Sequence, residues 1–333
     1  MDYENILKLA FSYWNPKVFF TALKLGFFDV LSEQPKSIME ISESLNTNYK
    51  GTEIVLNTLC TLHLAEKTEA EAFCISSDVY KYLSKKSPDY KGEILYYFDS
   101  RMVDFIEFEG FLVCEDPVFY KEEKPIPLTQ EKMRKFICGM ENITRELVPF
   151  VVQALPLSNK NKILDLGAAG GNYTLAIAQK CPAAQVVYYD LAEVQPIAEE
   201  FIQDKQSNIN YMTGNFLTDP IGTNYDFAWV SQIIHRTGDK NTKNLLEKIH
   251  AALSENGVIA IHDYLLDNSK LSPEFATLLN VFWFVTAGGN GKAYSIEEVE
   301  MILKEIGFKI IDLIETPAST RILIAQKIKP ERN

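Results

Sequence analysis

Ile163-Leu164-Asp165-Leu166-Gly167-Ala168-Ala169-Gly170-Gly171 decides the fold: a short apolar run that reads as a buried strand ends in a turn of small residues, which opens directly into a helical pattern. Small side chains at such a junction let a ligand approach the backbone at a helix N-terminus, where unpaired N–H groups point outward. Gln185-Val186-Val187-Tyr188-Tyr189-Asp190 supplies a second strand, whose last residue sets a carboxylate beside the turn, at the edge where ribose hydroxyls are gripped bidentately. Turn and acid together describe an adenosine site. A glycine turn alone is weak evidence, because many parallel-sheet proteins tighten a turn this way without a ligand.

Towards the C-terminus the alternation of strand and helix continues, with strands expected at about Ile209 to Met212, Tyr225 to Val230 and Val258 to His262. Helices are expected at about Glu193 to Asp204 and Thr242 to Leu253. This is the pattern of a parallel sheet with helices on both faces. A last helix opens at Ser295 with Glu298 three residues on, a capping box, buries Val299, Ile302, Leu303 and Ile306, and ends at Gly307. Phe308 to Leu313 and Arg321 to Gln326 then read as strands around the turn Thr316-Pro317-Ala318-Ser319. So short a link does not make a parallel crossover, so the sheet is expected to close in an antiparallel hairpin. A nicotinamide-binding domain has no need of that hairpin, and its fingerprint wants glycine where Ala169 and Asn172 stand. Asp165, two residues before Gly167, suits instead a ligand with a positively charged amino-acid tail, which S-adenosylmethionine has.

Towards the N-terminus, from Tyr3 to about Leu155, apolar residues recur at helical spacing. A capped helix at Ser37 to Ser42, the turn Asn46-Thr47-Asn48, a second helix from about Gly51 to Leu64, an acidic loop Ala65-Glu66-Lys67 and a small hairpin at Ala72 to Ile75 together read as a winged helix. DNA reading is disfavoured, because the second helix offers little beyond Lys50 and Asn57 and the chain carries a formal net charge of −12 over 333 residues. That charge argues equally against an anionic membrane surface. An aromatic, acidic region from Ser87 to Pro127 includes Tyr96, Tyr97, Phe98, Phe105, Phe108, Phe111, Phe119 and Tyr120 and closes with Lys124-Pro125-Ile126-Pro127. It reads as helical core plus a loop, followed by one long helix from about Gln130 to Ala154. The polar turn Leu157-Ser158-Asn159-Lys160 marks a boundary, giving 1–100 as the winged-helix module, 101–157 as a helical linker and acceptor lid, and 158–333 as the sheet domain. Neither a leader segment nor a membrane span is legible, and a cytoplasmic protein is expected. Cys60, Cys74, Cys114, Cys138 and Cys181 are scattered and unpaired in spacing, so reduced thiols and no metal site are expected.

These features in this order resemble the small-molecule O-methyltransferases that join a winged-helix dimerisation domain to a Rossmann-like class I methyltransferase domain. That family follows its glycine motif with Asp-Leu, Gly-Asp-hydrophobic and His-Asp-Trp motifs; here stand Asp165 to Gly171, Asp190-Leu191, Gly214-Asn215-Phe216 and His235-Arg236-Thr237. The resemblance implies S-adenosylmethionine as cofactor, a small-molecule acceptor and a homodimer. It implies a donor site from Asp165, Gly167, Gly171, Asp190, Leu191, Asn215, Phe216, Ser231 and Gln232, with Asn215 and Phe216 flanking the adenine. It implies an acceptor pocket at Phe136 and Met140, while Phe282 and Trp283, on an aromatic helix before a glycine loop, read equally as pocket lining and as core. His235 matches the general base that takes the acceptor's proton, a task imidazole suits because it titrates near neutral pH, and Asp263 matches the acid that orients it. Against these roles stand a helix-capping His235 and a His262 that faces the opposite side as core.

Four departures bear on the chemistry. Ala168 and Ala169 replace family glycines, Asn215 replaces an aspartate, Arg236-Thr237 replaces Asp-Trp, and Gly288-Gly289-Asn290-Gly291-Lys292 lacks the glutamate that supplies a second carboxylate near the base. O-methylation is therefore only narrowly favoured over methylation of a thiol or thioether, which needs less help from a base. A relative that binds the cofactor yet catalyses hydroxylation or rearrangement, and a metabolite-sensing DNA binder, are the remaining alternatives.

Overall fold

The computed structural model describes residues 1–31, 34–113, 129–202 and 207–328. Cys114, Phe119, Tyr120, the Lys124 to Pro127 segment and Asp204 lie outside the described residues. The chain divides into two units, Met1–Ser100 and Arg101–Asn333.

The first unit is helical. Helices α1 (Tyr3–Phe11), α2 (Trp14–Leu25) and α3 (Phe27–Val30) precede a helix-turn-helix made of α4 (Ile38–Leu45) and α5 (Tyr49–Thr61). Ser37 and Glu40 cap α4 reciprocally, Asn46 ends it in the left-handed region, and Asn48 caps α5 by accepting the Gly51 N–H at 2.7 Å. Two-residue strands β1 (Glu66–Lys67) and β2 (Phe73–Cys74) pair antiparallel, so Glu66 and Lys67 form half of the wing rather than a loop. Helices α6 (Ser77–Leu83) and α7 (Gly92–Arg101) follow. Phe27, Phe28, Leu31, Ile41, Leu56, Leu59 and Phe73 form the core of this unit. Helix α1 adds nothing to that core: it buries no residue, and Ile6, Leu9 and Phe11 are exposed.

The second unit begins with the 3-10 helix Met102–Glu107 and α8 (Phe108–Val113), and resumes with α9 (Gln130–Thr144) and α10 (Val148–Ala154). The single long helix expected here is two. Pro149 has no N–H to donate and a ring that collides with the carbonyl four residues back, so it sits in the first turn of a new helix. The sheet then builds from β3 (Lys162–Leu166), α11 (Asn172–Lys180), β4 (Gln185–Asp190), α12 (Gln195–Phe201), β5 (Ile209–Thr213) and β6 (Tyr225–Ser231). It continues with α13 (Ile234–Ala252), β7 (Leu253–Asp263), α14 (Glu274–Thr286), α15 (Ile296–Ile306), β8 (Phe308–Glu315) and β9 (Arg321–Lys327).

Among the described residues the sheet has seven strands in the order β5-β4-β3-β6-β7-β9-β8. The first five are parallel, and β9 runs antiparallel to both β7 and β8. The terminal hairpin is therefore present, with its second strand inserted between β7 and the edge. Strand residues alternate between two apolar layers, as a sheet covered on both faces requires. Leu164, Leu166, Val230, Ile259 and Ile261 pack with Leu245, Leu246, Ile249, Val299 and Leu303, from α13 and α15. Ile163, Phe227, Trp229, Val258 and Ala260 pack with Val148, Val151, Val152 and Ile177, from α10 and α11. Two further elements differ from the sequence reading. β7 starts at Leu253 rather than Val258, extending through polar residues that carry no apolar signal; α13 starts at Ile234 and breaks at Gly238 (φ 72°), where the expectation began at Thr242.

Candidate active site

The parallel strands end at one edge of the second unit, and their C-terminal residues supply two groups of side chains. The first surrounds the glycine turn. Tyr189 accepts the Gly167 N–H at 2.8 Å, continuing the β3–β4 pairing into the turn. Asp190 then holds it: Oδ2 accepts the Ala169 N–H at 2.8 Å and Oδ1 accepts the Leu191 N–H at 2.7 Å. The Tyr188 hydroxyl donates to the Ala169 carbonyl at 2.7 Å. Ala169 has φ 51°, a left-handed conformation that costs a residue with a side chain about 1 kcal/mol, and these bonds on both sides of its peptide hold it there. That is how the chain accommodates alanine where the resembled family has glycine.

A Cβ at Gly167 would collide with Ile233 and lie 3.9 Å from the Phe216 ring, so both side chains flank the turn. Leu191 is exposed beside Asp190. Asn215 spends its Oδ1 on the Leu217 N–H at 2.9 Å, within an exposed turn. Ser231 Oγ lies 2.9 Å from His262 Nδ1, and Gln232 (φ 59°) donates its N–H to the His262 carbonyl at 2.8 Å. Ser231 and Gln232 therefore stand at the strand edge, tied to His262. Burial lowers the His262 imidazole to about 4. Stacked on Trp229 and bonded to Thr320, it is the core residue the sequence suggested.

Helix α9 packs over the same turn. Phe136 joins Ile137, Val194, Ile197 and Ala169 in one apolar cluster, and Met140 follows half-buried one turn on. Glu141, next to Met140, is a site feature the sequence reading missed. Only 3% exposed, it lies against Gly170, where a Cβ would collide with its carboxyl. Burial, with Asp165 alongside, pushes Glu141 up to about 8. Burial also pushes Asp165 up to about 7, against the pull of Thr174, whose hydroxyl donates to it at 2.5 Å. A signal was available: Met133, Ile137 and Glu141 fall four apart, so an acid interrupts the inward stripe of an amphipathic helix.

The second group centres on His235, in the first turn of α13. Its Nδ1 lies 2.8 Å from Asp263 Oδ1, which also accepts the Tyr264 N–H at 2.9 Å. Period-two alternation along β7 sends Asp263 to the side opposite His262, which is why one acid meets the histidine and its neighbour joins the core. The helix-capping alternative for His235 fails, since its side chain is committed to Asp263. The Trp283 indole stacks on the imidazole with centroids 4.0 Å apart and planes 22° apart. Phe282 on the same helix stacks with Phe105 at 6.3 Å, and Tyr264 contacts both Phe275 and Trp283. At Gly291 a Cβ would collide with the Trp283 carbonyl and Ala287, so that position has no room for a second acid as it is packed.

A mixed sheet in this order, with its glycine turn and strand-end acid, is the architecture of a class I methyltransferase. The family profile for the O-methyltransferase domain matches residues 125–309, and that for the O-methyltransferase dimerisation domain matches residues 7–82. The chain belongs to this family and is an S-adenosylmethionine-dependent methyltransferase of small molecules. It is 28% identical to acetylserotonin O-methyltransferase of Gallus gallus, over 95% of each chain. It is 22% identical to the tetracenomycin polyketide synthesis 8-O-methyl transferase of Streptomyces glaucescens, over 97% of this chain and 96% of that one. Among solved structures, human N-acetylserotonin methyltransferase in complex with SAM superposes with a TM-score of 0.83 at 20% identity, covering 99% of each chain. A putative O-methyltransferase from Nostoc punctiforme gives 0.88 at 21%, covering 98% of this chain and all of that one.

The buried acids give the stability of the ligand-free protein a direction with pH. Glu141 and Asp165 hold protons more tightly folded than unfolded, so their contribution is full below the unfolded carboxyl range and is lost as pH rises to about 8. His262 acts oppositely, its contribution falling away as pH drops from about 6.5 towards 4. The urea midpoint is expected to decline between about pH 6.5 and about pH 8.5, and Glu141→Gln to flatten that decline. An unchanged slope in the variant would contradict the assignment.

Proposed function

We propose that this enzyme methylates a hydroxyl group on a small aromatic acceptor, with His235 as general base. The observation that carries the proposal is the buried His235–Asp263 pair, stacked against Trp283 at the end of the strands that also carry the glycine turn. S-adenosylmethionine supplies an electrophilic methyl group on a sulfonium. Asp190 and Leu191 would hold its ribose, Phe216 and Asn215 its adenine, and Gly167 and Gly171 its close approach to the backbone, with Ser231 and Gln232 at the opposite strand edge. The carboxyls beside the turn fit such a ligand, since among the described residues no lysine or arginine bonds to them and the donor brings a cation.

Because Asp263 accepts from Nδ1–H, the imidazole lone pair sits on Nε2, which would take the acceptor's hydroxyl proton as its oxygen attacks the methyl carbon and the C–S bond breaks, leaving S-adenosylhomocysteine as a neutral thioether. Asp263 then stabilises the imidazolium through the same bond, and the Trp283 face adds cation–π attraction. The aromatic side chains Phe282, Trp283, Phe105 and Tyr264, with Phe136 and Met140 from α9, favour a planar acceptor. A thiol or thioether needs no dyad of this quality, so the intact pair favours oxygen despite the absent second carboxylate. His235→Ala is expected to lower kcat about 10²- to 10⁴-fold while leaving S-adenosylhomocysteine affinity within about threefold. An undiminished rate on the preferred acceptor would remove His235 from its role.

We also read residues 1–100 as the dimerising module, 101–157 as linker and acceptor lid, and 158–333 as the donor-binding domain of a cytoplasmic homodimer. No helix among the described residues is long and apolar enough to cross a membrane. The exposed Ile6, Leu9 and Phe11 of α1, a helix that buries no residue in its own unit, support burial against a second copy. Sedimentation velocity should show a dimer that Leu9→Asp shifts to monomer; a monomeric wild type would rule this out.

A further inference from the structure

Glu141 is the buried acid that catalysis leaves unused. Its Oε2 is buried and has no hydrogen-bond partner among the described residues. The rest of the carboxyl meets the backbone amides of Gly170 and Asn172, at the start of the helix that follows the turn. Asp165, Tyr173 and Tyr188 face it as further acidic groups, and Asp190 adds a third carboxylate to the turn through its effect on Asp165. The cation acting on Glu141 is Arg145, which is exposed one turn further along the helix.

Gly170 supplies an independent sign. It is not one of the left-handed residues of the turn, so its backbone does not demand glycine, yet any side chain there would displace the Glu141 carboxyl. The turn thus gives up a side chain to admit an acid whose remaining oxygen is unpaired. Burying such a group is costly unless a charge-matched partner arrives.

We propose that Glu141 binds the α-ammonium group of the methionine tail of the methyl donor, as a second carboxylate beside Asp165. This rests on the glycine turn being the donor site. Charge-assisted bonds between an ammonium and a buried carboxylate are among the stronger hydrogen bonds in proteins. The adenosine half of the ligand is held elsewhere, by Asp190 and Phe216, so the two halves can be tested separately.

The test is calorimetric titration of the full-length protein with two probes. S-adenosylhomocysteine carries the amino-acid tail, whereas 5′-methylthioadenosine keeps the nucleoside and sulfur but lacks that tail. Glu141→Gln is expected to weaken S-adenosylhomocysteine about 10- to 100-fold and leave 5′-methylthioadenosine within about twofold, which also shows the variant is folded. Gly170→Ala, which displaces the carboxyl without removing it, should give the same selective loss. Equal weakening of both probes, or of neither, would overturn the inference while leaving the donor site standing. If the wild type binds neither probe, the donor-site reading falls first.

Discussion

A carboxylate at the end of one strand accepting an amide from the loop that ends its neighbour is the interaction on which the site depends. Asp190 closes the glycine turn by taking the Ala169 N–H, and its second oxygen orders the chain that follows at Leu191. The bond is possible because β3 and β4 are parallel and in register, Leu166 opposite Tyr189, so both strands finish at the same level. It also holds a left-handed alanine at the point where a ligand would pass closest. Shifting β4 by one residue would turn Asp190 to the wrong face, and the same slip in β3 would misplace Asp165.

Around that bond the electrostatics are one-sided. Asp165, Glu141 and Asp190 are all pushed upward by burial, and among the described residues no lysine or arginine forms a hydrogen bond or ion pair with them. The arrangement suits a cationic ligand better than a phosphate, which is the physical difference between this turn and a dinucleotide site. The proposed catalytic pair is built separately, from the turn after β6 and the end of β7, so the glycine turn and His235 come from different strands at one edge. Open parallel sheets place their ligand sites at this edge as a rule.

Much of this was legible in the sequence. Glycine turn, strand-end Asp190 and the order of later strands follow from local patterns of period two and from turn chemistry, and the short link between β8 and β9 forced an antiparallel pair. Parity along β7 even separated Asp263 from His262. What was not legible came from contacts distant in sequence. The Trp283 stack on His235 joins residues almost fifty positions apart, and the closeness of Glu141 to Gly170 needs α9 to be laid across the turn. Pro149 splitting the expected long helix was visible in principle, since a proline inside a helical run is a breaker, but the apolar periodicity on either side masked it. β7 likewise passes through Ser254 to Gly257, which reads as a turn: Asn256 stands in the left-handed region (φ 61°), and pairing with β6 involves Leu253 and then resumes at Val258.

The glycine turn, closed by Asp190, is the proposed seat of a sulfonium nucleoside or its demethylated form. Isothermal titration of S-adenosylhomocysteine into the wild-type chain and into Asp190→Ala tests this directly. One equivalent taken up per wild-type chain, with binding lost or weakened at least about tenfold in the variant, is the predicted result. Absence of uptake by the wild type, or equal affinity in both proteins, would contradict it.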